Sequence, residues 1–165
     1  MSKTIIFLNG EFKPLNESAI AFNDGGFQYG DGLFETIRFQ NGNIFSSNKH
    51  LRRLREGLRV LDLQLEQTDE SLILTLQQLI AKNKFKSGLL RLMVTRGIIE
   101  GTPWNYAGDP CVYISIRPLS PSPESPVKVV FLKEENYPII RFSPAIKSMN
   151  YIGNMKAKKD AEQMG

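Results

Sequence analysis

A mixed α+β fold is predicted for this chain by three observations: hairpin dipeptides between short apolar runs near its start, two leucine stripes at helical spacing in its middle, and further strand-like runs after them. Thr4 to Leu8 reads as a short strand, and Asn9-Gly10 readily takes the positive φ values of a tight hairpin turn. Phe34 to Phe39 alternates as a strand, and Asn41-Gly42 turns it into Ile44-Phe45. Between these hairpins, Asp24-Gly25-Gly26 and Gly30-Asp31-Gly32 enclose Phe27-Gln28-Tyr29, placing four glycines within eight residues. That stretch is expected to be a loop with unusual backbone demands.

From Ser47 the period changes. Leu51, Leu54, Leu58 and Leu61 line one face of a predicted helix capped by Ser46 or Ser47, with Arg52, Arg55 and Arg59 largely off the stripe. A second helix is predicted over Asp69 to Asn83, with Leu72, Leu76, Leu79 and Ile80 on one face and Thr68 as its cap. Leu89 to Thr95 and Cys111 to Ile116 are strand-like, separated by a Gly/Pro/Trp loop from Gly97 to Pro110. Pro118, Pro121, Pro123 and Pro126 alternate with serines and resist regular structure. Beyond them, Val127 to Leu132 is a strand candidate, Ile139 to Ile146 is extended and broken by Pro144, and Tyr151 to Met164 is a predicted helix. The expected organisation is a first domain at 1–118, a linker at 119–126, and the start of a second domain at 127–165.

Composition narrows the class. With 165 residues, 41% hydrophobic and 23% charged, the chain can bury one sizeable core, which excludes disordered and fibrous classes. No apolar run approaches the ~18 residues of a membrane span, and the start has no signal-peptide core, so a cytoplasmic location is expected. One cysteine, Cys111, and one histidine, His50, rule out an intrachain disulfide and make a metal centre or a Cys/His/Asp triad a poor fit. The net charge of +4 concentrates at Lys49 to Arg59 and Lys147 to Glu162. Solvated helix faces are the favoured reading of both segments, with a phosphorylated ligand or a nucleic acid as the alternative, and the arginine run lacks the interleaved aromatics of a nucleic-acid groove.

Nucleotide and hydrolase signatures are absent: there is no P-loop, no dinucleotide glycine fingerprint and no G-x-S-x-G. What remains is Lys147, in Lys147-Ser148-Met149-Asn150-Tyr151, just ahead of the last predicted helix. With Phe7-Leu8-Asn9-Gly10-Glu11, Tyr29-Gly30-Asp31-Gly32-Leu33-Phe34-Glu35-Thr36-Ile37-Arg38, His50-Leu51-Arg52-Arg53-Leu54 and Leu90-Arg91-Leu92-Met93-Val94-Thr95-Arg96-Gly97, it completes a set of five motifs. In that order and spacing the chain resembles the class IV aminotransferases, pyridoxal-phosphate enzymes that include branched-chain and D-amino-acid aminotransferases and aminodeoxychorismate lyase. The resemblance implies a D-amino-acid aminotransferase-like fold, with the first domain complete and 127–165 opening the cofactor-binding domain.

The same resemblance implies the roles. Lys147 forms the Schiff base with pyridoxal 5′-phosphate and then moves the proton, so its amine must be partly neutral near pH 7 against a free value of about 10.4. Arg53 is the phosphate contact, gripping with two parallel hydrogen bonds. Tyr151 approaches the cofactor, although the branched-chain enzymes place their aromatic one residue further on. Tyr29, Phe34 and Glu35 line the substrate pocket, and three arginines are expected to bind substrate with them: Arg38 and Arg91, which match arginines of the branched-chain enzymes, the latter near the substrate carboxylate, and Arg96, in a Thr-Arg-Gly turn of lyase and D-amino-acid relatives. His50 is given a local hydrogen-bonding role only.

A homodimer acting on an amino acid and a 2-oxo acid is therefore expected, with branched-chain substrates favoured because Ile98 to Pro103 lacks the Arg and His of the D-amino-acid enzymes. A lyase of the aminodeoxychorismate type and a non-catalytic dimerising module are the alternatives. Family members continue for roughly a hundred residues beyond this point, including the acidic partner of the pyridine nitrogen, so a fragment of a longer enzyme is expected.

Overall fold

The computed structural model describes residues 4–102, 104, 108–137, 139 and 141–164. The expectations for Gly97 to Pro110 and Ile139 to Ile146 therefore fall partly outside the described residues, at Pro103, 105–107 and Ile140. Six strands form one sheet: β1 (Ile5–Leu8), β2 (Glu11–Pro14), β3 (Gly32–Gln40), β4 (Asn43–Ile44), β5 (Ser87–Thr95) and β6 (Cys111–Pro118), in the order β2-β1-β6-β5-β3-β4. Every adjacent pair is antiparallel. Both hairpin turns have the dihedrals that Asn-Gly favours, with φ of 41° and 101° at Asn9 and Gly10 and of 49° and 80° at Asn41 and Gly42.

Alternation along the central strands sends Leu33, Ile37, Phe39, Leu90, Leu92, Val94, Val112, Ile114 and Ile116 into the core. Against them pack α2 (Ser47–Val60), through Leu51, Leu54 and Leu58, and α3 (Asp69–Asn83), through Leu72, Leu76, Leu79 and Ile80. Each fully buried leucine contributes about 2 kcal/mol, so this one layer of helices on one sheet face holds the domain. The opposite face carries the intervening residues, among them Phe34 and Thr36 of β3 and Arg91 and Met93 of β5.

Thr68 caps α3 as expected, its hydroxyl accepting from the Ser71 amide at 3.2 Å. Ser46 precedes α2 but makes no side-chain cap, because its backbone is left-handed with φ of 50°. The glycine-rich stretch is not simply a loop: Gly25–Tyr29 forms a short helix, α1, whose N-cap Asp24 accepts from the amides of Gly26 (2.8 Å) and Phe27 (3.2 Å). Gly26 must lack a side chain, since a Cβ there would stand 2.3 Å from Thr95 Cγ2.

Val127 to Leu132, expected as a strand, has no sheet partner among the described residues and takes no regular structure, with Val127, Val129 and Phe131 exposed. An extended run needs a neighbour for its backbone groups before it becomes a strand. The last helix, α4 (Ile152–Gln163), forms as expected and buries no residue among those described. It is tied to the turn before it by the Tyr137 hydroxyl, which donates to Asp160 Oδ2 at 2.9 Å.

Candidate active site

The short segment carrying Lys147 runs beside the start of β3. The Phe34 amide donates to the Lys147 carbonyl and the Met149 amide to the Gly32 carbonyl, each at 3.0 Å, and Leu33 and Ser148 form an antiparallel bridge. This pairing brings the far end of the sequence onto a strand more than a hundred residues earlier. It puts the Lys147 amine 4.3 Å from the centroid of the Phe34 ring and 5.1 Å from that of Tyr151, while the Arg91 guanidinium carbon stands 3.9 Å from the Phe34 centroid. Tyr151 meets Phe34 edge to face at 5.2 Å. Phe34 is thus a buried aromatic plate contacted by two cations and a phenol ring, each cation–ring contact worth about 0.5–1 kcal/mol.

Glu35, the next residue, faces the other way. Its carboxylate is 1% exposed and accepts from Arg53 Nε at 2.6 Å and Arg53 Nη2 at 2.5 Å, and it lies 2.7 Å from His50 Nδ1. The expectation that Glu35 lines the pocket beside Phe34 is corrected: alternation turns it under α2, where three donors converge on it. Two parallel hydrogen bonds are indeed made by Arg53, but to Glu35, and that carboxylate raises the guanidinium's pKa above its ordinary value. Nη1 is the part of the guanidinium outside these two bonds. Arg53 lines a cavity of about 380 Å³ with Ser46, Lys49, His50, Arg52 and Ala145. Lys147 lies two residues beyond Ala145 and outside that lining.

Arg96 also departs from expectation. It is 1% exposed, with Nε donating to Asp31 Oδ2 at 2.5 Å and Nη2 to the Leu61 carbonyl at 2.7 Å. A guanidinium engaged in this way fastens the glycine loop to the end of α2 and does not project into the Phe34 cluster. Arg38, four residues beyond Phe34 on the same face and so about 13 Å along the strand, lies 5.5 Å from the Phe45 ring centroid and is not gathered with Lys147. Tyr29 is exposed at the end of α1, one residue before Gly30, whose carbonyl accepts from Asn150 Nδ2 at 3.0 Å. His50 has the local hydrogen-bonding role expected of it.

Three polar residues that carry this arrangement went unassigned in the sequence. Asp24 is 1% exposed and, besides capping α1, accepts from the hydroxyls of Thr95 and Tyr113, both at 2.8 Å. Burial first, then hydrogen bonds to Cys111 and Asp24, push the Tyr113 phenol well above its ordinary pKa. An Asp directly before Gly-Gly is a cap signal that could have exposed α1. Asp31 and Asn150 were visible as motif letters, but their partners lie too far along the chain to be read. Among the described residues no group of three or more His, Cys, Asp or Glu could hold a metal ion.

These features match known proteins along nearly the whole chain. Residues 32–165 match the family model described as amino-transferase class IV. The chain is 30% identical over 162 residues to a Methanocaldococcus jannaschii protein provisionally named a branched-chain-amino-acid aminotransferase, covering 97% of this chain and 56% of that protein. It is 31% identical over 172 residues to a Staphylococcus aureus D-alanine aminotransferase, covering 94% and 56%. A crystal structure of the branched-chain aminotransferase from the archaeon Thermoproteus uzoniensis with norvaline superposes with a TM-score of 0.77 at 20% identity, over 98% of this chain and 57% of that one. The chain belongs to the class IV aminotransferase family, and its fold is the one shared by those enzymes. It spans a little over half the length of the relatives it matches.

Proposed function

We propose that this chain carries the reactive lysine and part of the substrate wall of a pyridoxal-phosphate aminotransferase acting on branched-chain or related amino acids. The observation that carries the reading is the placement of the Lys147 amine over Phe34 and Tyr151, with Arg91 on the same ring. Pyridoxal phosphate, when bound, supplies an aldehyde that takes up amino groups and a ring that withdraws electrons from the substrate Cα. The residues fit such a group at two places: Lys147 makes no ion pair with a described residue and is half-buried against aromatic rings, and Arg53 keeps Nη1 for an anion beside Ala145. Lys147 would tether the cofactor through its amine and afterwards hold or move the Cα proton at Nζ. Arg53 would contribute one donor edge to the phosphate, its other edge staying on Glu35. Tyr151 and Phe34 would exclude water beside the amine, and Arg91 would orient a substrate carboxylate.

On this reading residues 1–118 are the first domain, 119–126 the linker and 127–165 the beginning of the cofactor-binding domain, in a homodimeric cytoplasmic enzyme. The aromatic surface beside the Lys147 amine favours an apolar substrate side chain, in keeping with the branched-chain name among its relatives. The test is incubation with pyridoxal phosphate, reduction with borohydride and peptide mapping. Label concentrated on Lys147 supports the proposal, and label scattered over other lysines overturns it. Amino-group transfer to 2-oxoglutarate from leucine or valine, compared with D-alanine and with aminodeoxychorismate as a lyase substrate, then sorts the substrate class.

A further inference from the structure

The glycine loop and the lysine segment are laced at three successive points. Two are backbone contacts, Phe34 amide to Lys147 carbonyl and Met149 amide to Gly32 carbonyl. The third uses a side chain: Asn150 Nδ2 donates to the Gly30 carbonyl at 3.0 Å and to Ser148 Oγ at 3.1 Å, and the Asn150 amide donates to the same hydroxyl at 3.1 Å. The fit at Gly30 is close. Its φ is +67°, and a Cβ there would stand 2.5 Å from Asn150 Oδ1 and 2.8 Å from Asn150 Cγ, so the amide occupies the space a side chain would fill.

We propose that Asn150 is a positioning residue, a side-chain latch that fastens the lysine segment to Gly30 and thereby fixes the Lys147 amine over Phe34. The inference rests on the reading of Lys147 as the reactive amine. The two backbone bonds set the register of the segment but leave its exit free to swing, because 149–151 take no helix or strand before α4 begins at Ile152. Asn150 stands at that exit, next to Tyr151, which packs on the same Phe34 ring that Lys147 covers. A latch at this point holds both flanks of the plate, and small misplacement of a reacting group is enough to slow a reaction severely.

The test compares the parent chain with Asn150→Ala and the near-isosteric Asn150→Asp, which keeps the shape but presents no donor to the Gly30 carbonyl. Each is treated with pyridoxal phosphate and borohydride, and the share of label on Lys147 is mapped. Hydrogen exchange over 147–152 and thermal unfolding are measured on the same samples. Because Asn150 is exposed, both variants are expected to melt close to the parent, while the Lys147 share falls roughly tenfold and amide exchange of the segment accelerates. Parent-like labelling and exchange in Asn150→Asp overturn the latch, as does parent-like exchange in both variants. Absence of Lys147 label in the parent defeats the reading of Lys147 itself, and the exchange data then decide the latch alone.

Discussion

Phe34 and Glu35, consecutive on β3, turn to opposite faces of the sheet: the ring underlies Lys147 and Arg91, and the carboxylate anchors Arg53 and His50 beneath α2. The strand's two-residue period does this without any bend in the backbone. The Arg53 guanidinium is thereby held in place by a buried anion, while the Lys147 amine lies on an aromatic surface.

Glu35→Ala is expected to destabilise the chain by about 2–3 kcal/mol, because Arg53 and His50 lose their common acceptor. The half-exposed Arg53 keeps the loss below that of a fully buried pair. Glu35→Gln, which retains one acceptor oxygen, should cost about half as much. Urea denaturation of the three proteins checks this, and equal stabilities would show that the cluster contributes nothing net.

Arg96→Ala should be more damaging, at about 3–4 kcal/mol, since it leaves the Asp31 carboxylate and the Leu61 carbonyl without a buried partner. Arg96→Lys recovers only part of this, because an ammonium lacks the fork that spans both acceptors. A substrate-binding role alone would predict near-parental unfolding for both variants, so the denaturation midpoint discriminates.

Tyr113 predicts a pH dependence. Its folded pKa lies above the ordinary phenol value of 10.0, so the folded chain retains a proton that the unfolded chain releases. The stability it contributes is complete below that value and is lost as the pH rises past it. Melting temperatures followed from about pH 8 to about pH 11 should decline at the alkaline end in the parent. Tyr113→Phe should flatten that decline and lower stability by about 1 kcal/mol at neutral pH, through loss of the hydrogen bond to Asp24.

Phe34→Leu keeps an apolar group in the buried position but removes the ring that Lys147 and Arg91 cover. A stability loss of about 1–2 kcal/mol is expected, from the cation–ring contacts and altered packing. The selectivity of pyridoxal-phosphate labelling for Lys147 should drop with it. Unchanged selectivity would mean that the backbone pairing at Phe34, which leucine preserves, positions the amine without help from the ring.

What the sequence determined by itself is the set of features with local causes. The Asn-Gly turns, the leucine stripes of α2 and α3, the Thr68 cap and the final helix follow from φ preferences and from 2.0- and 3.6-residue periods, each legible within one window of chain. The five motifs together also made the family legible. Tertiary structure decided the partners. Whether an arginine faces a ligand or a buried carboxylate depends on which distant residue packs opposite it, so Arg53 met Glu35 and Arg96 met Asp31 with no local sign of either pairing. The same cause explains Val127 to Leu132, whose strand-like composition stays irregular because a sheet edge is a property of two segments and this one has no described neighbour to bond.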